Sequence, residues 1–75
     1  MTENLTHILI FRTNIDTETD KQRIKELMDI LPAVECWSVD MDDIDRVLRV
    51  VSHTLTMEQL IHLINKAGYQ CQELE

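Results

Sequence analysis

His7-Ile8-Leu9-Ile10-Phe11-Arg12, followed by Thr13-Asn14-Ile15-Asp16-Thr17-Glu18-Thr19-Asp20, carries an apolar run through a short polar loop into a helical pattern. The run is rich in β-branched and aromatic residues and predicts a strand. Ile8 to Phe11 are all apolar, so both faces of that strand are hydrophobic, as expected at the centre of a sheet. From Glu18 onward Ile24, Leu27, Met28 and Leu31 recur at helical spacing, with Lys21, Gln22, Lys25, Glu26 and Asp29 on the other face. Thr17 and Asp20 have the spacing of a helix N-cap and a carboxylate reaching back to it, and Asp16 and Glu18 suit the positive end of the helix dipole. Pro32 closes this helix near Leu31, because the residue before a proline is pushed out of helical geometry.

Outward from that junction, residues 34–41 alternate as a strand, with Trp37, Val39 and Met41 on one face and Cys36, Ser38 and Asp40 on the other. Asp42-Asp43-Ile44-Asp45 reads as a turn and Arg46 to Val51 as the returning strand of a hairpin. Thr56 with Gln59 forms a capping box that opens a second helix, whose buried face is Met57, Leu60, Ile61 and Ile64. Gly68 supplies a left-handed C-cap, and Tyr69 to Leu74 predicts a last strand. The order β-α-β-β-α-β predicts an α+β, ferredoxin-like sandwich: a four-stranded antiparallel sheet in the order 4-1-3-2 with two helices on one face.

The 75 residues suit one domain over 1–75 with an ordered core of about 7–74, and one Gly and one Pro leave no room for a flexible linker. A chain of this size buries only about 60% of the surface its unfolded form exposes, so the core must be economical. Fourteen acidic against seven basic residues give a net charge of −7, which repels a phosphate backbone and argues against nucleic acid as a partner. The apolar run Ile8 to Phe11 is far below the ~20 residues of a membrane helix, and Met1-Thr2-Glu3-Asn4 lacks the basic start of a secretory signal. These features predict a soluble, cytoplasmic protein without membrane insertion, in which Cys36 and Cys71 are reduced thiols. No glycine-rich phosphate loop and no paired nucleophile and base can be picked out by spacing, so an enzyme is not expected. The RNA-recognition domain shares the plan, but one Phe, one Tyr and one Trp on an acidic chain do not supply its aromatic, basic sheet.

From Asp20 onward the chain resembles the heavy-metal-associated domain of small copper chaperones and metal-transporting ATPases. Leu31-Pro32-Ala33-Val34 is similar to that family's Leu-Pro-Gly-Val turn, and Trp37-Ser38-Val39-Asp40 to its Val-x-Val-Asp strand. Leu60 to Ile64 followed by Lys66-Ala67-Gly68-Tyr69 is similar to its second helix ending in Ala-Gly-Tyr. The similarity spans Ile8 to Leu74, and the order and spacing of the motifs carry it rather than any one of them. The family holds soft ions through Met-x-Cys-x-x-Cys between the first strand and helix, because Cu(I) and Zn(II) prefer sulphur. Counting back from Val34, the methionine position falls on Ile15 and the cysteine positions on Thr17 and Asp20, and no shift of one residue brings in a sulphur ligand. The resemblance therefore implies a degenerate member without the thiolate site or a resident metal, acting as a protein-interaction or accessory module.

Three other candidates stand beside this reading. Asp16, Glu18 and Asp20 could face a hard cation, but calcium needs six or more oxygens from a specialised loop, so helix capping is the preferred role. His7, Cys36 and His53 fall at one rim of the predicted sheet, a ligand set that Cu or Zn accepts, which leaves a metal-handling protein with non-standard ligands as the alternative function. His62 lies among outward-pointing helix residues. If Ile8 and Ile10 face the helices, Leu9, Phe11, Val47 and Val51 form an apolar patch on the open sheet face, diluted by Ser38, Arg49, Gln70 or Gln72, for a protein partner or a homodimer. A small-molecule regulatory domain, which the same plan also serves, is the further alternative.

Overall fold

Alternation, rather than composition, decides which way the first strand faces. The computed structural model describes residues 7–74, with the backbone alone for His7. Strand β1 (His7–Thr13) pairs antiparallel with β3 (Leu48–Ser52) in the register Ile8 to Val51, Leu9 to Val50, Ile10 to Arg49 and Phe11 to Leu48. Directly opposed residues share a face, and Val50 and Leu48 are fully buried. Leu9 and Phe11 therefore point at the helices, and Phe11 is 0% exposed. This reverses the expected facing: Ile8 and Ile10 line the open side instead. The physical reason lies just past the apolar run. Phe11, Thr13 and Ile15 are all buried, whereas Arg12 and Asn14 between them are exposed, so the odd positions are the inner ones.

Helix α1 (Glu18–Asp29) starts where Thr17, in extended geometry, caps it, and buries Ile24 and Met28. It ends two residues before the expected Leu31, with Ile30 as the C-cap and the Leu31 N–H bonded to the Met28 carbonyl at 3.1 Å. Strand β2 (Val34–Val39) then pairs antiparallel with β3. Val34 faces Ser52 and Cys36 faces Val51, so Glu35 is an extra residue, a β-bulge in this edge strand.

The hairpin loop is wider than predicted, because β2 stops at Val39 and β3 starts at Leu48. The Asp40 carboxylate accepts the Asp42 N–H at 3.1 Å and the Asp43 carboxylate the Asp45 N–H at 2.8 Å, local turns that compete with extension. Arg46 has φ 44, a left-handed conformation incompatible with a strand. The Asp40 N–H still reaches the Val47 carbonyl at 2.8 Å and closes the base of the loop.

Helix α2 (Met57–Lys66) is capped by Thr56 and Gln59, buries Leu60 and Ile64, and ends at Ala67. Gly68 follows at φ 101, where a side chain would be strained. Strand β4 (Cys71–Glu73) pairs with β1, giving the sheet order β2-β3-β1-β4, the predicted order read from the other edge. The result is the ferredoxin-like plan, with both helices on one side of the antiparallel sheet. Phe11, Ile15, Ile24, Met28, Leu48, Val50, Leu60 and Ile64 form the continuous core. Each such side chain stabilises the fold by roughly 1.5–3 kcal/mol through burial alone. No helix among the described residues is long and apolar enough to cross a membrane.

Candidate functional site

The loop between β1 and α1 is where the fold brings most of its polar chemistry together. It begins from a buried hydroxyl: Thr13 Oγ1 donates to the Arg46 carbonyl at 2.7 Å and accepts the Ile15 N–H at 3.3 Å. Ile15 is thereby turned into the core, and the chain emerges at Asp16. The Asp20 carboxylate then reaches back: Oδ2 accepts the N–H groups of Asp16 and Thr17, each at 3.1 Å, while the Asp20 N–H donates to Thr17 Oγ1 at 3.1 Å. This is a complete capping box, with the shorter aspartate in place of the usual Glu or Gln.

Two distant segments tie the loop down. From the α2–β4 connection, the Tyr69 hydroxyl donates to Asp20 Oδ1 at 2.8 Å, and the Gln70 N–H donates to Asn14 Oδ1 at 2.8 Å. From the hairpin loop, one Arg46 guanidinium nitrogen bonds Asp16 Oδ1 at 3.0 Å and the other the Met41 carbonyl at 2.5 Å. The Thr13 N–H adds a bond to the Asp45 carbonyl at 3.0 Å, and Arg12 pairs with the Asp45 carboxylate at 3.3 Å. The left-handed backbone of Arg46 directs its carbonyl to Thr13 while its side chain reaches Asp16. The Tyr69 hydroxyl, foremost, and the backbone N–H groups of Asp16 and Thr17 hold the Asp20 carboxyl below its ordinary value. Burial, and then the bond to Asp20, push the Tyr69 hydroxyl up.

A soft metal does not fit these residues. Ile15 lies in the core, Thr17 Oγ1 is taken by the Asp20 N–H, and both Asp20 oxygens carry hydrogen bonds. A hard cation at Asp16 would meet the Arg46 guanidinium 3.0 Å from that carboxylate. The preferred capping role of Thr17 and Asp20 thus has its geometry, and Glu18 sits in the first helical turn beside them. Tyr69, Gln70 and Arg46 are hydrogen-bonding partners of the loop that residue spacing does not reveal. The sequence pattern predicts Tyr69 and Arg46 as strand residues, and the run of aspartates after Asp40 suits a structured turn as well as a tight one.

The rim candidates are only partly brought together. His53 Nδ1 lies 2.6 Å from Glu35 Oε2, and Cys36 is exposed on β2 opposite Val51. The backbone of His7 pairs with Ser52, one residue before His53, but its side chain lies outside the described residues. Among the described residues no three His, Cys, Asp or Glu side chains cluster as a metal group would. His62 is exposed. Cys71 is buried, and burial pushes its thiol up to about 12. Cys36 and Cys71 stand on opposite edge strands, three spacings of about 4.8 Å apart, beyond the reach of a disulfide.

The expected apolar patch needs correction. Phe11 is in the core, Leu9 packs against it, and Val47 is only 5% exposed, so of the four predicted residues Val51 alone is on the open face and partly accessible. Its companions there are Ile8 and Ile10.

No protein-family model and no curated protein sequence matches the chain. Solved structures do. One, described as "Crosstalk between Cu(I) and Zn(II) homeostasis", is similar with a TM-score of 0.78 at 18% identity, over 91% of this chain and 99% of that one. A second, the N-terminal domain of PacS from Synechocystis PCC6803, has a TM-score of 0.75 at 17% identity, over 92% of this chain and 98% of its own. At such identities the likeness establishes the fold.

Proposed function

We propose that this chain is a heavy-metal-associated-like domain that has exchanged soft-metal binding for a hydrogen-bonded loop, and that it works as a non-enzymatic protein-interaction or accessory module. The observation that carries the reading is the Asp20 carboxylate. It stands at a cysteine position of the family motif, yet both its oxygens are committed, to Tyr69 on one side and to the Asp16 and Thr17 N–H groups on the other. The fold shared with structures whose descriptions concern Cu(I) and Zn(II) homeostasis and PacS supports the ancestry. The oxygen-only loop supports the loss, because thiolates are what Cu(I) and Zn(II) select.

Titration of the apo protein with Cu(I) against a competing chelator tests it. The expected outcome is no site of submicromolar affinity. Tight 1:1 binding that survives Cys36→Ser and Cys71→Ser would refute the proposal. Tight binding abolished by His7→Ala/His53→Ala would instead establish the rim set of His7, Cys36 and His53 as a non-standard site.

A further inference from the structure

Turned away from the helices, the sheet presents two cross-strand rows, Cys36–Val51–Ile8 and Ser38–Arg49–Ile10, with Arg12 and Gln72 beyond them. Ile8 is 61% exposed, and Ile10 and Val51 are partly so. Arg49, exposed between these aliphatic groups, has no hydrogen-bond or ion-pair partner among the described residues. Arg12, on the same face, is paired with Asp45. In a chain of net charge −7, the sheet face therefore pairs aliphatic surface with an exposed positive charge that no described residue neutralises.

The complement occurs on the same chain. Ile44, at the tip of the hairpin loop, is 93% exposed. Asp43 and Asp45 flank it, and their carboxylates are occupied by the Asp45 N–H and by Arg12. Asp42, two residues before Ile44, is exposed, and its carboxylate has no partner among the described residues. One surface thus offers an exposed guanidinium among aliphatic side chains, and the other an exposed carboxylate near an isoleucine, neither with a partner among the described residues. Two copies packed face to face would instead bring arginine-bearing surfaces together, which opposes a symmetric pairing.

We infer that the open sheet face docks the hairpin tip of a second copy, with Ile44 against Ile8, Ile10 and Val51 and with Asp42 against Arg49. The inference rests on the interaction-module reading and names its partner. Because tip and face are different surfaces, the contact is head-to-tail and extends copy by copy unless a ring closes. It is small and transient by the measure of stable interfaces.

The test is sedimentation velocity and amide NMR of the whole chain between about 20 µM and 1 mM. It is run at about 0.15 M salt, where net repulsion is screened beyond ~8 Å. The expected result is concentration-dependent growth past the dimer, with shifts confined to Ile8, Ile10, Arg49, Val51 and Asp42 to Asp45. Ile44→Asp and Arg49→Glu each abolish growth. Mixed, they form a 1:1 complex that grows no further, since the first retains an intact face and the second an intact tip. Both positions are exposed, and circular dichroism checks that each variant folds; Arg49→Gln replaces Arg49→Glu should the latter unfold, with the same expected loss. A parent that stays monomeric overturns the inference. Association that survives Ile44→Asp overturns it in favour of a symmetric face dimer, and a mixture that fails to pair overturns it too. Each of these leaves the copper titration to decide the loss of the metal site separately.

Discussion

Both helices of this protein begin with the same device, and the two are embedded differently. At α2, the Thr56 hydroxyl accepts the Gln59 N–H at 3.1 Å and the Gln59 side chain accepts the Thr56 N–H at 2.9 Å. There the box is self-contained. At α1 the matching pair is Thr17 and Asp20, but the reaching group is charged, it takes a second backbone N–H from Asp16, and its other oxygen is held by Tyr69. The first cap is thus a junction between three segments of the chain, whereas the second is a helix start. A local motif can be recruited into tertiary structure without any change in its own geometry.

The comparison can be broken most forcefully from below. Ile15, two residues before the first cap, is fully buried, whereas Leu55, one residue before the second, is only partly so. Ile15→Ala is expected to cost about 2–5 kcal/mol and Leu55→Ala distinctly less, measured by urea unfolding. Equal losses would mean that the first junction is no better anchored in the core than the second. A middle-sized effect comes from the caps themselves. Thr17→Ala and Thr56→Ala should each lose about 1 kcal/mol, and the double variant should lose the sum, because the two boxes share no partner.

The smallest effect sharpens the contrast through pH. Asp20 is held below its ordinary value of 3.8 in the folded state, so its contribution is present above that value and is lost as pH falls through the lower, folded one. Thermal unfolding of Asp20→Asn should therefore differ from the parent near neutrality and converge with it in acid. Gln59 does not titrate, so the deficit of Gln59→Ala should not change over the same range. At the alkaline end the sign is opposite. Tyr69 is raised above 10.0 when folded, so its share is present below that value and fades as pH rises through the folded one.

What could be read from the sequence follows the same division. Both caps, the glycine at the end of α2 and the order of elements depend on residues a few positions apart, and pattern reasoning finds such signals. The facing of β1 does not follow from Ile8 to Phe11, which are apolar on both sides; the deciding alternation lies in Arg12 to Ile15. Tyr69 is 49 residues from Asp20 and Arg46 is 30 from Asp16, so no local spacing could join them. The width of the hairpin loop does not follow from the pattern, since aspartates that cap their own turns look like those of a tight reversal. The loop's oxygen-only chemistry was plain from the sequence. That its oxygens are already spoken for was not.

The bulge at Glu35 bears on what happens in a crowded solution. A six-residue edge strand such as β2 would ordinarily be a template on which a stray extended chain could add. The extra residue shifts its pairing between Val34 and Cys36, so a newcomer could match the ladder on one side of the bulge but not through it. The opposite edge, β4, is only three residues long. Both margins of the sheet are thus poor seeds for amyloid-like growth, which leaves its open face and the loops as the surfaces through which contacts can form reversibly.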